Sequence, residues 1–307
     1  MKVTKPQKAC NVEFELIKFP CIAMPKVDGV RGLKIGQYFT GRTLKMFRNN
    51  HLTDQLSDPL LTGLDGELAY GSLTSPTLCR DTTSYCNSYS YNTSNVLPNW
   101  MIFDLISEET AGLPYLKRFE LATSYVKRLK EKDEKFWYLQ TVPEHRLCHS
   151  LEEVEAAHSE FISLGYEGTI GRSLYQPHKN GRATMRENAY WRIKDFATEE
   201  GIIIGFEEAE INLNPALINE LGYIERSSAK AGKVPGGMLG NIKIRRLADG
   251  QEYTIGPGKL THKERTEYFN EPQRFLNKLC TFTHFPYGAK DKLRFGLFSS
   301  FRLPEDL

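Results

Sequence analysis

The chain changes texture at Phe196, and that break limits the possible folds more than any single residue does. Before it, short apolar runs bounded by turn residues (EFELIKF, RGLKIGQYFTGR, GLDGELAYG and the stretch Trp100–Ile106) are mixed with helical signals. After it, GIIIGFEE, GNIKIRRL, QEYTIG and LCTFTHF follow one another between Gly, Pro and Asp turns, with one helical stretch near 261–270. Such a β-rich segment of roughly 100 residues fits a small barrel. The expectation is an α+β chain with two domains, 1–197 and 198–307. In the first, residues 116–132 fit an amphipathic helix. Ser150 and Glu153 form a capping box ahead of a second helix, and Gly165 is placed to end it. Residues 72–95, rich in Ser, Thr, Asn and Tyr, and the cation-bearing 226–238 read as surface loops.

Composition excludes several classes. At 307 residues, 40% hydrophobic and 25% charged, the chain is in the globular range and needs no disulfide or metal to build a core. Forty basic residues against 38 acidic give a net charge of +2, so a grip on a polyanion must come from local clustering. No apolar run approaches the roughly 18 residues of a membrane span. The start, MKVTKPQKACNVEF, has cations but no apolar signal core, and the six cysteines include no C-x-x-C pair. These features predict a cytoplasmic protein with reduced thiols and no membrane partner.

Chemistry concentrates in a few short runs. Lys26-Val-Asp28-Gly29-Val-Arg31 places a lysine just before an Asp-Gly turn, which can present it at a pocket mouth. Taken alone it also fits a solvated hairpin turn. Arg42 closes FTGR. In Leu64-Asp65-Gly66-Glu67-Leu68 the two carboxylates stand two residues apart, on one face of a strand. Phe103-Asp104 ends the Trp100–Ile106 run, Glu167-Gly168-Thr169-Ile170-Gly171-Arg172 follows the capped helix, and Trp191-Arg192-Ile193-Lys194 alternates so that its cations share a face.

Together and in this order the runs resemble the nucleotidyltransferase motifs of the ATP-dependent DNA ligases. The resemblance continues through Met238-Leu239-Gly240-Asn241, Asp249-Gly250 and Tyr253-Thr254-Ile255-Gly256. The end of the chain (Arg294-Phe295, Phe298, Phe301-Arg302, Glu305, Asp306) is similar to short phage-type ligases. It implies an adenylation domain of mixed and antiparallel sheet, ATP-grasp-like in type, followed by an OB-fold barrel. It also implies three steps: a lysine takes AMP from ATP, AMP passes to a DNA 5′-phosphate, and a 3′-hydroxyl displaces it. Lys26 matches the nucleophile. With an ordinary pKa near 10.4 it needs desolvation or cationic neighbours to lose its proton, and Arg42, Arg192, Lys194 and Mg²⁺ would supply them. By the same match Arg192 and Lys194 bind the α-phosphate, Glu67 the ribose, Phe103 the adenine face, and Arg31 the nucleotide or the nick phosphate. Glu167, with Glu67, would hold Mg²⁺, or Mn²⁺ as a substitute. Asp65 is assigned a supporting or turn role and Arg172 none.

Two positions depart from the family. Met24 stands where many of these ligases carry an acidic residue near the adenine. At the chain end only Arg302 matches the basic motif that orients pyrophosphate, so Arg302 is the candidate for that task. Twenty-five residues precede Lys26, and no nicotinamide-binding domain or cysteine zinc cluster is visible, which favours ATP over NAD. The partner implied is nicked duplex DNA, encircled by a monomer and gripped through phosphates. Candidate contacts are Arg31, Arg80, Arg226, Lys230, Lys233, Lys243, Arg245 and Arg246, each of which could equally be solvated surface. An RNA ligase or an mRNA-capping guanylyltransferase would use the same lysine chemistry, and a DNA-end-binding module on a decayed catalytic domain would use none.

Overall fold

A computed structural model describes residues 5–89, 96–218, 224–285 and 293–302. The chain divides into two units, 1–194 and 195–307. In the first, in chain order, come β1 (Gln7–Lys8), β2 (Cys10–Asn11), β3 (Cys21–Pro25), β4 (Val30–Ile35), β5 (Tyr38–Thr40), α1 (Asn50–Leu56), β6 (Leu64–Ala69) and α2 (Leu78–Asn87). They are followed by β7 (Asn99–Leu105), α3 (Tyr115–Lys132), β8 (Leu139–Thr141), β9 (Arg146–Cys148), α4 (Leu151–Ser163), β10 (Thr169–Ser173), β11 (Gly181–Arg182) and β12 (Tyr190–Ile193).

Two five-stranded sheets form this unit, ordered β5-β4-β6-β7-β8 and β2-β12-β10-β3-β9. Alternation along their strands builds three apolar layers. From β7, Trp100 and Ile102 pack with Leu52 and Leu56 of α1 and with Ala122, Val126 and Leu129 of α3. From β3, Cys21 and Ala23 pack with Val154, Ala157 and Phe161 of α4. The opposite faces meet: Ile22 and Met24 of β3 join Met101 and Phe103 of β7 in a shared layer. The motif residues lie along that junction, on strands from both sheets.

Most expected elements form, and three expectations need correction. EFELIKF gives a 3₁₀ turn at Phe14–Leu16 in place of a strand. The expected loop 72–95 contains α2, whose Leu78, Thr82 and Cys86 fall on one buried stripe; residues 90–95 of that stretch lie outside the described residues. The expected loop 226–238 is largely extended, as the end of one strand and the start of another described below. The cap of α4 is close to the pattern read from sequence: Ser150 accepts from the Glu153 N–H, and the Glu153 carboxylate turns back to the N–H of His149. Gly165 follows the helix with φ +91°.

The second unit contains β13 (Ala197–Asn212), β14 (Ala216–Ile218), β15 (Ile224–Arg226), β16 (Lys233–Arg246), β17 (Glu252–Ile255), α5 (His262–Asn270), β18 (Leu279–Phe285) and β19 (Arg294–Phe301). Its main sheet is antiparallel, in the order β17-β16-β13-β18-β19, and curls over a core of Ile203, Leu239, Ile242, Ile244, Phe275, Phe282 and Phe298. The outer strands touch at one bridge, where Gly256 N–H donates to Gly296 O and Phe298 N–H to Gly256 O. Among the described residues no continuous ladder closes the sheet, so the expected barrel is present only as a strongly curled sheet.

Candidate active site

The end of β3 delivers Lys26 into the loop leading to β4. Two backbone hydrogen bonds fix it against the start of β10: Lys26 N–H to Gly168 O at 2.9 Å and Glu167 N–H to Lys26 O at 3.1 Å. Gly168 is required by both conformation and space, since its φ is +155° and a Cβ there would lie 2.3 Å from Ile193 O. Gly29 is required by space alone, a Cβ there falling 2.1 Å from Leu68 O. The two glycines let three chain segments close on Lys26.

Glu167, 5% exposed, is the hub. One carboxylate oxygen accepts from Lys26 Nζ and the other from Lys194 Nζ, Lys194 standing just beyond β12. Although burial opposes ionisation, the two ammonium groups hold the Glu167 carboxyl well below the usual range. The lysines respond differently. Burial and then repulsion from Lys26 push the Lys194 pKa down. Burial also works to lower that of Lys26, but Glu167 and Glu67 outweigh it and the net shift is upward. In the free protein Glu167 thus favours the charged form of Lys26.

Beside this hub, β4 and β6 pair Arg31 with Glu67 in register. Burial pushes the Glu67 carboxyl up to about 7. Arg31 forms a two-pronged bond to buried Asp65, both contacts at 2.5 Å, and its guanidinium lies 4.6 Å from the centre of the Phe103 ring. Asp65 therefore orients Arg31, a firmer role than sequence suggested. Phe103 is 7% exposed and packs in the layer between the sheets with Met24. Arg172, whose role the sequence left open, is buried behind it, its guanidinium 5.5 Å from the Phe103 ring centre.

Arg192, half-buried, donates from Nε to Asn11 Oδ1 at 3.1 Å. Around it stands a cation cluster in which sequence had indicated only Arg42 and Arg192. Lys8 has its pKa lowered by burial first, then by Arg42, Arg182, Lys5 and Arg31. Arg182 and Arg42 act likewise on Arg192. Among the described residues neither Lys8 nor Arg42 has a carboxylate partner. Lys8 and Arg182 were missed because β1 and β11 pair across more than 170 positions, and no local motif marks them.

Most cations of the second unit expected to face DNA are engaged within it. Lys233 pairs with Glu210 at 2.9 Å, Lys243 with Glu207 at 3.6 Å, Arg245 with Glu252 at 3.3 Å, and Arg246 with Glu199 and Asp249. Arg226 donates to Asn214 O, while Lys230 is exposed. Residues 195–307 carry fifteen Lys and Arg against sixteen Asp and Glu, so this unit has no net positive charge. In the first unit Arg80, exposed on α2, pairs with Asp81. Arg302 pairs with Glu200 at 3.0 Å beside a recess of 290 Å³ lined also by Thr198, Glu199 and Thr281. Glu305 and Asp306 lie outside the described residues.

The expected metal carboxylates, Glu67 and Glu167, flank Lys26, and among the described residues no group of three or more His, Cys, Asp or Glu forms a cage. That donor set suits Mg²⁺, which binds through one or two carboxylates and takes its other ligands from water and phosphate. No described helix is long and apolar enough to cross a membrane.

No protein-family profile and no curated protein matches the sequence. Solved structures do. A Chlorella virus DNA ligase-adenylate is 26% identical with a TM-score of 0.53, over 99% of this chain and 100% of that one. A Lig E DNA ligase is 18% identical with a TM-score of 0.69, over 98% and 100%. The ATP-dependent DNA ligase of bacteriophage T7, in complex with ATP, is 16% identical with a TM-score of 0.51, over 97% and 99%. The likeness runs through both units, and the chain shares the fold of these ATP-dependent DNA ligases.

Proposed function

We propose that this protein seals nicks between a 5′-phosphate and a 3′-hydroxyl in duplex DNA, using ATP and a covalent Lys26–AMP intermediate. The observation that carries the reading is the convergence of Lys26 and Lys194 on buried Glu167, with Glu67 and Arg31 on the neighbouring sheet. A lone pair on Lys26 Nζ attacks the α-phosphorus, an N–P bond forms, and the P–O bond to pyrophosphate breaks. The amine must first leave Glu167 and shed its proton. Glu67 stands on the neighbouring sheet, its carboxyl pushed up to about 7 by burial.

Lys194 and Arg192 supply positive charge to the α-phosphate as it becomes five-coordinate. Phe103 offers an apolar face to the adenine, and Arg302 orients the departing pyrophosphate. Glu167 and Glu67 would hold Mg²⁺, which when bound neutralises phosphate charge and competes with the lysines for Glu167. In the later steps the 5′-phosphate takes AMP from Lys26, and the 3′-hydroxyl then displaces AMP. Lys8, Arg42 and Arg182 form a cation cluster beside Arg192, and we assign the DNA strand phosphates to it ahead of the internally paired cations of the second unit. The protein acts as a cytoplasmic monomer. The test is sealing of a singly nicked duplex with ATP, dATP, GTP or NAD supplied separately. Sealing with ATP supports the reading. Labelling by GTP, or sealing confined to RNA strands, would favour the capping or RNA-ligase alternatives.

A further inference from the structure

An ionic cluster with no part in the chemistry above is buried directly behind Phe103. Asp104, 0% exposed, accepts from Arg118 through both oxygens (2.8 and 3.1 Å) and from Arg172 Nη1 at 3.1 Å. The Arg172 guanidinium lies 3.9 Å from the Tyr190 ring centre, 4.2 Å from that of Tyr115 and 5.5 Å from that of Phe103. Tyr115 completes the circuit: its hydroxyl donates to Phe103 O at 3.2 Å and meets His145 Nε2 at 3.1 Å. His145 stacks on Phe119 and is kept neutral by burial, which drives its pKa down to about 3.

Buried ion networks add little net stability over apolar packing of the same volume; what they fix is geometry. The geometry fixed here is that of Phe103, tied at its carbonyl by Tyr115, flanked at its ring by Arg172, and followed by the doubly held Asp104. We infer that Arg172 and Tyr115 are positioning residues for the purine-stacking platform, holding Phe103 in the orientation in which it receives the base of ATP. The inference rests on the reading of Phe103 as the adenine platform, and it gives Arg172 a role that its place in the motif did not reveal.

The experiment is self-adenylation of the full chain at varied ATP, with thermal melting of each variant. Tyr115→Phe removes one hydroxyl, and Arg172→Lys keeps the charge while losing the planar stack. Each should raise KM for ATP about three- to tenfold, the equivalent of one hydrogen bond, with kcat within about twofold of wild type. In a Phe103→Leu background Tyr115→Phe should change KM no further. If Arg172→Lys lowers the melting temperature sharply, the Tyr115→Phe pair decides. A Tyr115→Phe KM equal to wild type, or a rise of the same size in the Phe103→Leu background, overturns the inference while leaving the ligase reading intact. Absence of any wild-type adduct overturns both.

Discussion

Replacing Glu167 with Gln keeps the shape of the hub and removes the one charge that holds two lysines. Deleting one partner of a buried ion pair costs about 3–5 kcal/mol, because the other charge is left uncompensated. The lysine side chains retain 18% and 15% of their exposure, so water relieves part of that loss. About 2–3 kcal/mol is the resulting expectation, a fall in melting temperature of about 4–12 °C at pH 7 for a domain of this size. The pH dependence has a defined sign. The Lys26 pKa is raised on folding, so its pairing stabilises the fold fully below the ordinary lysine value of 10.5 and is lost as pH climbs through the higher folded value. Lys194, shifted downward, contributes in the opposite sense, and in the variant the two ammonium groups face each other with no carboxylate between them. The deficit should therefore be largest near neutrality and shrink towards pH 10, where the facing lysines of the variant give up a proton. Calorimetric melting across that range is the assay. A fall of under about 1 °C at pH 7, or one that does not shrink with pH, would refute the hub.

Three further outcomes are expected. Glu67→Gln removes a carboxyl whose folded pKa of about 7 lies above its ordinary 4.5, a penalty absent below pH 4.5 and complete above 7. The variant should gain stability relative to wild type between pH 5 and pH 8, and a constant difference across that window would show that Glu67 is not strained by burial. Gly29→Ala drives a Cβ into Leu68 O and should cost about 1–3 kcal/mol by chemical denaturation, together with Lys26 labelling; a neutral effect would contradict the close approach. Arg182→Ala should lower the slope of log affinity against log salt for nicked duplex by about 0.9, the value for one lost phosphate contact, and Lys243→Ala by less. Equal slopes for the two variants would count against the cluster as the phosphate grip.

The strands at or beside Glu67, Glu167 and Lys194 were legible because apolar runs and Gly turns leave a local trace, whereas β3, which leads to Lys26, was not, its five residues being buried without alternation. Helix α2 was not, since Arg80-Asp81-Thr82-Thr83-Ser84 is rich in residues that compete with the helical backbone, and only Leu78, Thr82 and Cys86 record its buried stripe. The pairing of Glu167 with two lysines, the Asp65 fork on Arg31 and the Arg118–Asp104–Arg172 cluster depend on contacts 14 to 141 residues apart. Charge state was the least legible property. Types and order mark Lys26 as the candidate nucleophile, but the sign of its pKa shift follows from which carboxylate the fold places beside it.

The most direct measurement is the intact mass of the folded protein after incubation with ATP and magnesium, followed by peptide mapping. The account predicts one added AMP, on Lys26, and none in Lys26→Ala. An unmodified spectrum, or an adduct mapped to any other residue, would contradict it.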